Sequence, residues 1–188
     1  MLRKLTRQIL LAVMLSLVFT ATLLTAQDLQ PRKAPTVTMV PPALVTVQRG
    51  KSGSVELEFR VPSGFHVNSN KPHSEFLIPT TLKLTAPTDI IIGGVNYPPG
   101  HDTSFPFAPD DKLSVYGTQF SINFGVRPLA SVIPGKYAVR GNLKYQACDN
   151  ATCYPPKLLP VNFLVKVVKG NVESRGAKNP AQSPHAHR

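Results

Sequence analysis

The residues best suited to chemistry are the chain's two cysteines, Cys148 and Cys153, separated by Asp149-Asn150-Ala151-Thr152. In an exported protein two such cysteines usually meet as a disulfide. Asp149-Asn150 are turn formers and the flanks are strand-like, which predicts sulfurs facing each other across the mouth of a hairpin. Closing a loop of about six residues restricts the unfolded chain by only about 2 kcal/mol, against about 4.7 for a loop near 100 residues. A local bond can therefore open and close without unfolding a domain, although the spacing alone fits a structural staple equally well. Exchange would run by thiolate attack on a disulfide through a mixed-disulfide intermediate. Lys144 and Lys157 flank the segment and would favour a thiolate if they pointed inward, while Asp149 would oppose it.

Other chemistries find less support. Two cysteines fall short of the four ligands of a structural zinc, and no histidine lies near them in sequence. His66 and His73 lie close to Glu75, yet no nucleophile or ligand spacing accompanies them, and they read as surface histidines on a turn. His185 and His187 stand near the C-terminus without further ligands. Neither a metal nor any other cofactor is expected.

Arg3, Lys4 and Arg7 precede the apolar run Ile9 to Leu24, and Thr25-Ala26-Gln27 follows. This is the pattern of a secretory signal peptide over residues 1–26. The run is shorter than the roughly 20 residues that span a bilayer, with an uncleaved anchor as the alternative. The formal net charge is +11, but the bases are scattered singly, at Arg49, Lys51, Arg60, Lys83, Arg127, Arg140 and Lys166. They form no run and no ladder interleaved with aromatics, so a solvated face is expected and nucleic acid is not.

The elements that must position the cysteines are strands. With 19 prolines, 12 glycines and 16% charged residues, the composition suits short strands and many turns. Residues 27–35 read as a flexible lead-in, 36–169 as the folded domain and 170–188 as a disordered tail. Val55, Leu57, Phe59 and Val61 alternate with polar residues, as do Phe120, Ile122, Phe124 and Val126, which is the period of a half-buried strand. Further strands are expected near 37–40, 44–47, 81–85, 90–95, 137–145 and 159–168, and Pro62-Ser63-Gly64 is expected to turn the chain. Seven or eight strands at this spacing predict an all-β sandwich or barrel. Residues 98–112, with Phe105-Pro106-Phe107, read instead as a long loop whose two aromatic rings need cover.

The segments Tyr145-Gln146-Ala147-Cys148 and Cys153-Tyr154-Pro155-Pro156 resemble the signature of the N-terminal periplasmic domain of the thiol:disulfide interchange reductase DsbD. Weaker similarity takes in Val61 to Val67, the region 97–116 and Gly135 to Val168. The resemblance implies an immunoglobulin-like β-sandwich in the periplasm, acting as a protein-disulfide-reductase-like relay between thioredoxin-like redox proteins and periplasmic disulfides. It further implies that Cys153 forms the mixed disulfides and Cys148 resolves them. An aromatic cap loop, with Phe105 or Phe107 as the cap, would shield the bond; the alternative is that both rings merely anchor the loop. A separate membrane electron carrier is the expected source of electrons, and the chain is expected to be a monomer. The competing class is an immunoglobulin-like binding module with an inert disulfide.

Overall fold

The structure is a computed structural model, and it describes residues 34–170. The expected leader and the tail from residue 171 lie outside the described residues. Twelve strands and no helix appear among them.

Two four-stranded sheets form the body. In the first, β1 (Thr38–Met39), β3 (Gly53–Arg60), β9 (Gln119–Pro128) and β6 (Ile90–Asn96) lie side by side in that order. In the second the order is β2 (Val45–Gln48), β12 (Lys157–Val168), β10 (Gly135–Tyr145) and β5 (Thr81–Thr85). Strand β2 runs parallel to β12, while the neighbouring pairs in both sheets are antiparallel. The alternation seen in the sequence decides which faces meet. Val55, Leu57 and Phe59 of β3 join Ile122, Phe124 and Val126 of β9, and from the other sheet Val139, Leu143, Val161 and Val165 complete one apolar core. Phe124 and Phe163 touch across it, with ring centroids 5.8 Å apart. The fold is thus the expected immunoglobulin-like β-sandwich. The seven scattered bases singled out above are all exposed, as a solvated face requires.

Close packing inside the second sheet favours glycine at one position. A Cβ on Gly141 of β10 would stand 2.1 Å from the backbone oxygen of Lys83 and 3.0 Å from Leu84 Cα, both in the paired strand β5. By contrast, a Cβ on Gly94 of β6 would meet nothing within 4 Å. Gly141→Ala is therefore expected to lower unfolding stability by about 1–3 kcal/mol, as overpacking against backbone does, with Gly94→Ala within about 0.5 kcal/mol of wild type. Urea denaturation of the two variants checks this; equal midpoints would refute it.

A third, smaller sheet carries the cysteines. Its order is β11 (Ala147–Cys148), β4 (His66–Asn68), β8 (Ala108–Tyr116) and β7 (His101–Phe105). Val67, Tyr116 and Ala147 tie it into the main core. The stretch 98–112, expected as a long loop, is largely this β7/β8 hairpin. Phe105 pairs with Ala108 across the two-residue turn Pro106-Phe107. Its exposed charges and prolines hide the strands from a periodicity reading, because backbone pairing needs no apolar face on the solvent side.

Candidate functional site

Strand β10 ends at Tyr145, and the chain passes through Gln146 into β11, where the site begins. Cys148 forms an antiparallel bridge with Cys153, and the two are joined by a disulfide with Cα atoms 4.0 Å apart. The hairpin mouth expected from the spacing is thus present. Its turn is built by Asp149: Oδ1 accepts the amides of Ala151 at 2.8 Å and Thr152 at 2.9 Å, and the Asp149 amide donates to the Thr152 carbonyl at 2.9 Å. Such a side-chain-to-backbone closure is what makes aspartate a turn residue. On the far side of the turn the Tyr154 hydroxyl donates to Asp149 Oδ2 at 2.8 Å, and its amide donates to the Ala147 carbonyl.

The residues around the cysteines have individual roles. Tyr145 places its hydroxyl to accept the amide of Val37 at 3.1 Å. Gln146 fastens three segments at once, since Oε1 accepts from Asn68 Nδ2 and the Ile78 amide while Nε2 donates to the Tyr154 carbonyl. The Tyr154 ring meets Phe65 edge-on at 6.0 Å. Lys157 does not point to the sulfurs; its ammonium donates to the carbonyls of Ala34 and Pro35 and to Thr36 Oγ1. Lys144 is exposed beside Thr81, Lys83 and Leu158. The two lysines weighed as thiolate-stabilising charges are thus accounted for elsewhere.

The two cysteine residues differ in exposure. Cys148 is completely buried, whereas Cys153 is partly exposed. Neither belongs to the cluster that forms the sandwich core.

His66 corrects the sequence reading most sharply. It is buried at 6% exposure, and in the β4/β11 ladder it stands directly opposite Cys148, so the two side chains leave the sheet on the same face. The turn before it explains its position: Gly64 takes a φ of +79° and the Phe65 amide donates to the Pro62 carbonyl, a reversal that suits glycine and delivers the chain into β4. His66 Nε2 is buried with no hydrogen-bond partner among the described residues. Burial pushes its pKa down to about 4, against a partial upward pull from the Asp149 carboxylate, because desolvation disfavours the imidazolium. The ring is therefore neutral at pH 7. His73, by contrast, is exposed as expected and pairs with Asp102 at 2.8 Å.

Phe105, at the tip of the β7/β8 hairpin, lies flat on His66, with centroids 4.0 Å apart and ring planes at 14°. Phe107 stacks on Phe105 at 5.6 Å and is 38% exposed. Phe105 packs with Leu113, Val115 and Leu77 in a small cluster of its own, separate from the sandwich core. His66 thus links the two groups: it pairs with Cys148 in the ladder and stacks on Phe105, which stacks in turn on Phe107. Sequence reasoning singled out the cysteines and both phenylalanines and missed His66. Apart from its place in the segment Val61 to Val67, no local signal marks it.

Among curated proteins, no relative matches this sequence. Among solved structures, the reduced DsbD N-terminal domain of Neisseria meningitidis is 23% identical with a TM-score of 0.41, over 73% of this chain and 91% of that one. A second, of the complex between the DsbD N-terminal and PilB N-terminal domains of the same organism, is 22% identical with a TM-score of 0.40, over 72% and 88%. A type I cohesin of Pseudobacteroides cellulosolvens is 14% identical with a TM-score of 0.41, over 80% and 98%. The family described as "Thiol:disulfide interchange protein DsbD, N-terminal" matches residues 34–161, which takes in both cysteines, His66 and the aromatic hairpin, and the chain belongs to that family.

Proposed function

We infer that this chain is an exported thiol–disulfide relay, in which Cys148 and Cys153 accept electrons from a thioredoxin-like protein or a separate membrane electron carrier and pass them to periplasmic disulfides. Membership of a family of periplasmic thiol:disulfide interchange domains supports both the chemistry and the compartment. The observation that carries the reading is the unequal access of a bonded pair outside the core: Cys153 is partly exposed and Cys148 is sealed. An incoming thiolate needs a clear approach to one sulfur. Cys153 is thus the sulfur that enters mixed disulfides, and Cys148 is the one that leaves and later resolves them. Phe105 serves as the lid, since its cluster is separate from the sandwich and the hairpin tip can lift without unpacking the core.

Cys148→Ser is expected to trap a mixed disulfide through Cys153 with a thioredoxin-like protein, visible as a reducible adduct by mass spectrometry, while Cys153→Ser traps none. Repeated failure of Cys148→Ser to trap any such partner counts against the relay. A redox titration gives an independent reading, because a potential below about −300 mV marks a bond that resists exchange and would favour an inert immunoglobulin-like module.

A further inference from the structure

Two buried side-chain atoms, Asn68 Oδ1 and His66 Nε2, lack a hydrogen-bond partner among the described residues, and only the second belongs to a titratable group. Leaving a buried polar atom unsatisfied costs about 1–3 kcal/mol. His66 Nε2 belongs to the ring that faces Cys148 across the β4/β11 pair and is roofed by Phe105. We propose that His66 is the proton carrier of the cysteine pair: Nε2 takes up a proton as Cys148 departs as a thiolate, and the resulting imidazolium keeps that thiolate unprotonated until it closes the bond again. The proposal rests on the exchange reading above and adds to it the residue that handles charge.

The groups packed around the ring leave it suited to this task. The β7/β8 hairpin presents the uncharged ring of Phe105, while its charged residues Asp102, Asp110, Asp111 and Lys112 are exposed. The charge that acts on the ring is that of Asp149, whose carboxylate already accepts the Ala151 and Thr152 amides and the Tyr154 hydroxyl. With the disulfide closed, burial keeps the ring neutral, with a pKa of about 4. A thiolate created opposite it supplies the opposite charge that favours the imidazolium.

The step balances as follows. A partner thiolate attacks Cys153 Sγ, a partner–Cys153 bond forms, the Cys148–Cys153 bond breaks, and its electron pair leaves on Cys148 Sγ. As the Phe105 tip lifts, a proton from solvent binds His66 Nε2. The partner's second thiolate then attacks its own first sulfur, which oxidises the partner and frees Cys153 as a thiolate that solvent protonates. In the delivering direction Cys153 gives its proton to solvent and attacks one sulfur of an acceptor disulfide, a Cys153–acceptor bond forms, and the acceptor's other sulfur leaves as a thiolate that solvent protonates. Cys148, already a thiolate, attacks Cys153 Sγ, and the acceptor sulfur leaves with the proton from His66.

The test uses Cys153→Ser, which leaves Cys148 as the sole thiol, and follows thiolate absorbance against pH. The expected midpoint lies at least about one unit below the ordinary thiol value of about 8.5, equivalent to about tenfold more thiolate at pH 7. Adding His66→Phe, which retains an aromatic ring beneath Phe105, is expected to return it to about 8.5 or above. Equal midpoints in the two proteins would overturn the proposal. Should the double variant fail to fold, NMR titration of His66 in the oxidised and the fully reduced wild-type protein decides: a rise of about one unit or more on reduction supports it, and an unchanged imidazole overturns it. Neither measurement requires a redox partner, so the relay and the proton carrier can fail separately.

Discussion

Phe105→Ala is expected to speed reduction of the Cys148–Cys153 bond by dithiothreitol about 10- to 100-fold while leaving the sandwich folded. The magnitude follows from what holds the hairpin tip down. Burying a phenylalanine side chain contributes about 1.5–3 kcal/mol, and each 1.4 kcal/mol removed from the cost of opening is worth about tenfold in rate. Phe105 supplies that burial through its stack on His66 and its packing with Leu113, Val115 and Leu77. Its cluster is distinct from the sandwich core, so the loss is expected at the lid. Phe107 is 38% exposed and reaches the site through Phe105; Phe107→Ala should change the rate by less than about threefold, under about 0.7 kcal/mol. Stopped-flow reduction under excess dithiothreitol measures all three proteins. Rates within twofold for wild type and Phe105→Ala would remove Phe105 as the lid.

Acid is expected to destabilise the oxidised domain through His66. Burial lowers the folded pKa to about 4, whereas the unfolded chain has the ordinary 6.5. Between those values the unfolded chain binds the proton more readily, so the stability gained from a neutral ring is fully present above about pH 6.5 and is lost as the pH falls toward 4. A separation of this size corresponds to about 3 kcal/mol in full and about 2 kcal/mol by pH 5. His66→Phe carries no such proton. Urea unfolding at pH 7 and pH 5 should therefore show wild type losing about 2 kcal/mol more than the variant. Parallel losses would show that His66 is not held neutral by burial.

Reduction itself should leave the sandwich folded. The disulfide closes a sequence separation of 5, and its removal is expected to cost about 2 kcal/mol, with neither sulfur part of the sandwich core. A bond placed this way can cycle while the scaffold stays intact, which an electron carrier requires and an inter-sheet staple would not allow.

How much of this was legible in the sequence depended on whether the signal was local. Strands β3 and β9 each bury one face against the opposite sheet, so period-two alternation announced them. The cysteine turn was legible for the same reason: Asp149 closes it with bonds to residues two and three positions on. Strand β4 gave no such sign. All three of its residues are buried, because β11 and β8 flank it in the sheet and Phe105 covers its histidine. Those partners are distant in sequence, and a three-residue strand covered on both faces has no alternation to read. By itself the sequence determined an all-β sandwich or barrel, the local cysteine pair and two aromatics that need cover. Only the tertiary structure decided that one histidine pairs with Cys148 and stacks on Phe105, since its burial, its neutrality and its place opposite Cys148 come from chain segments that meet through long-range β pairing.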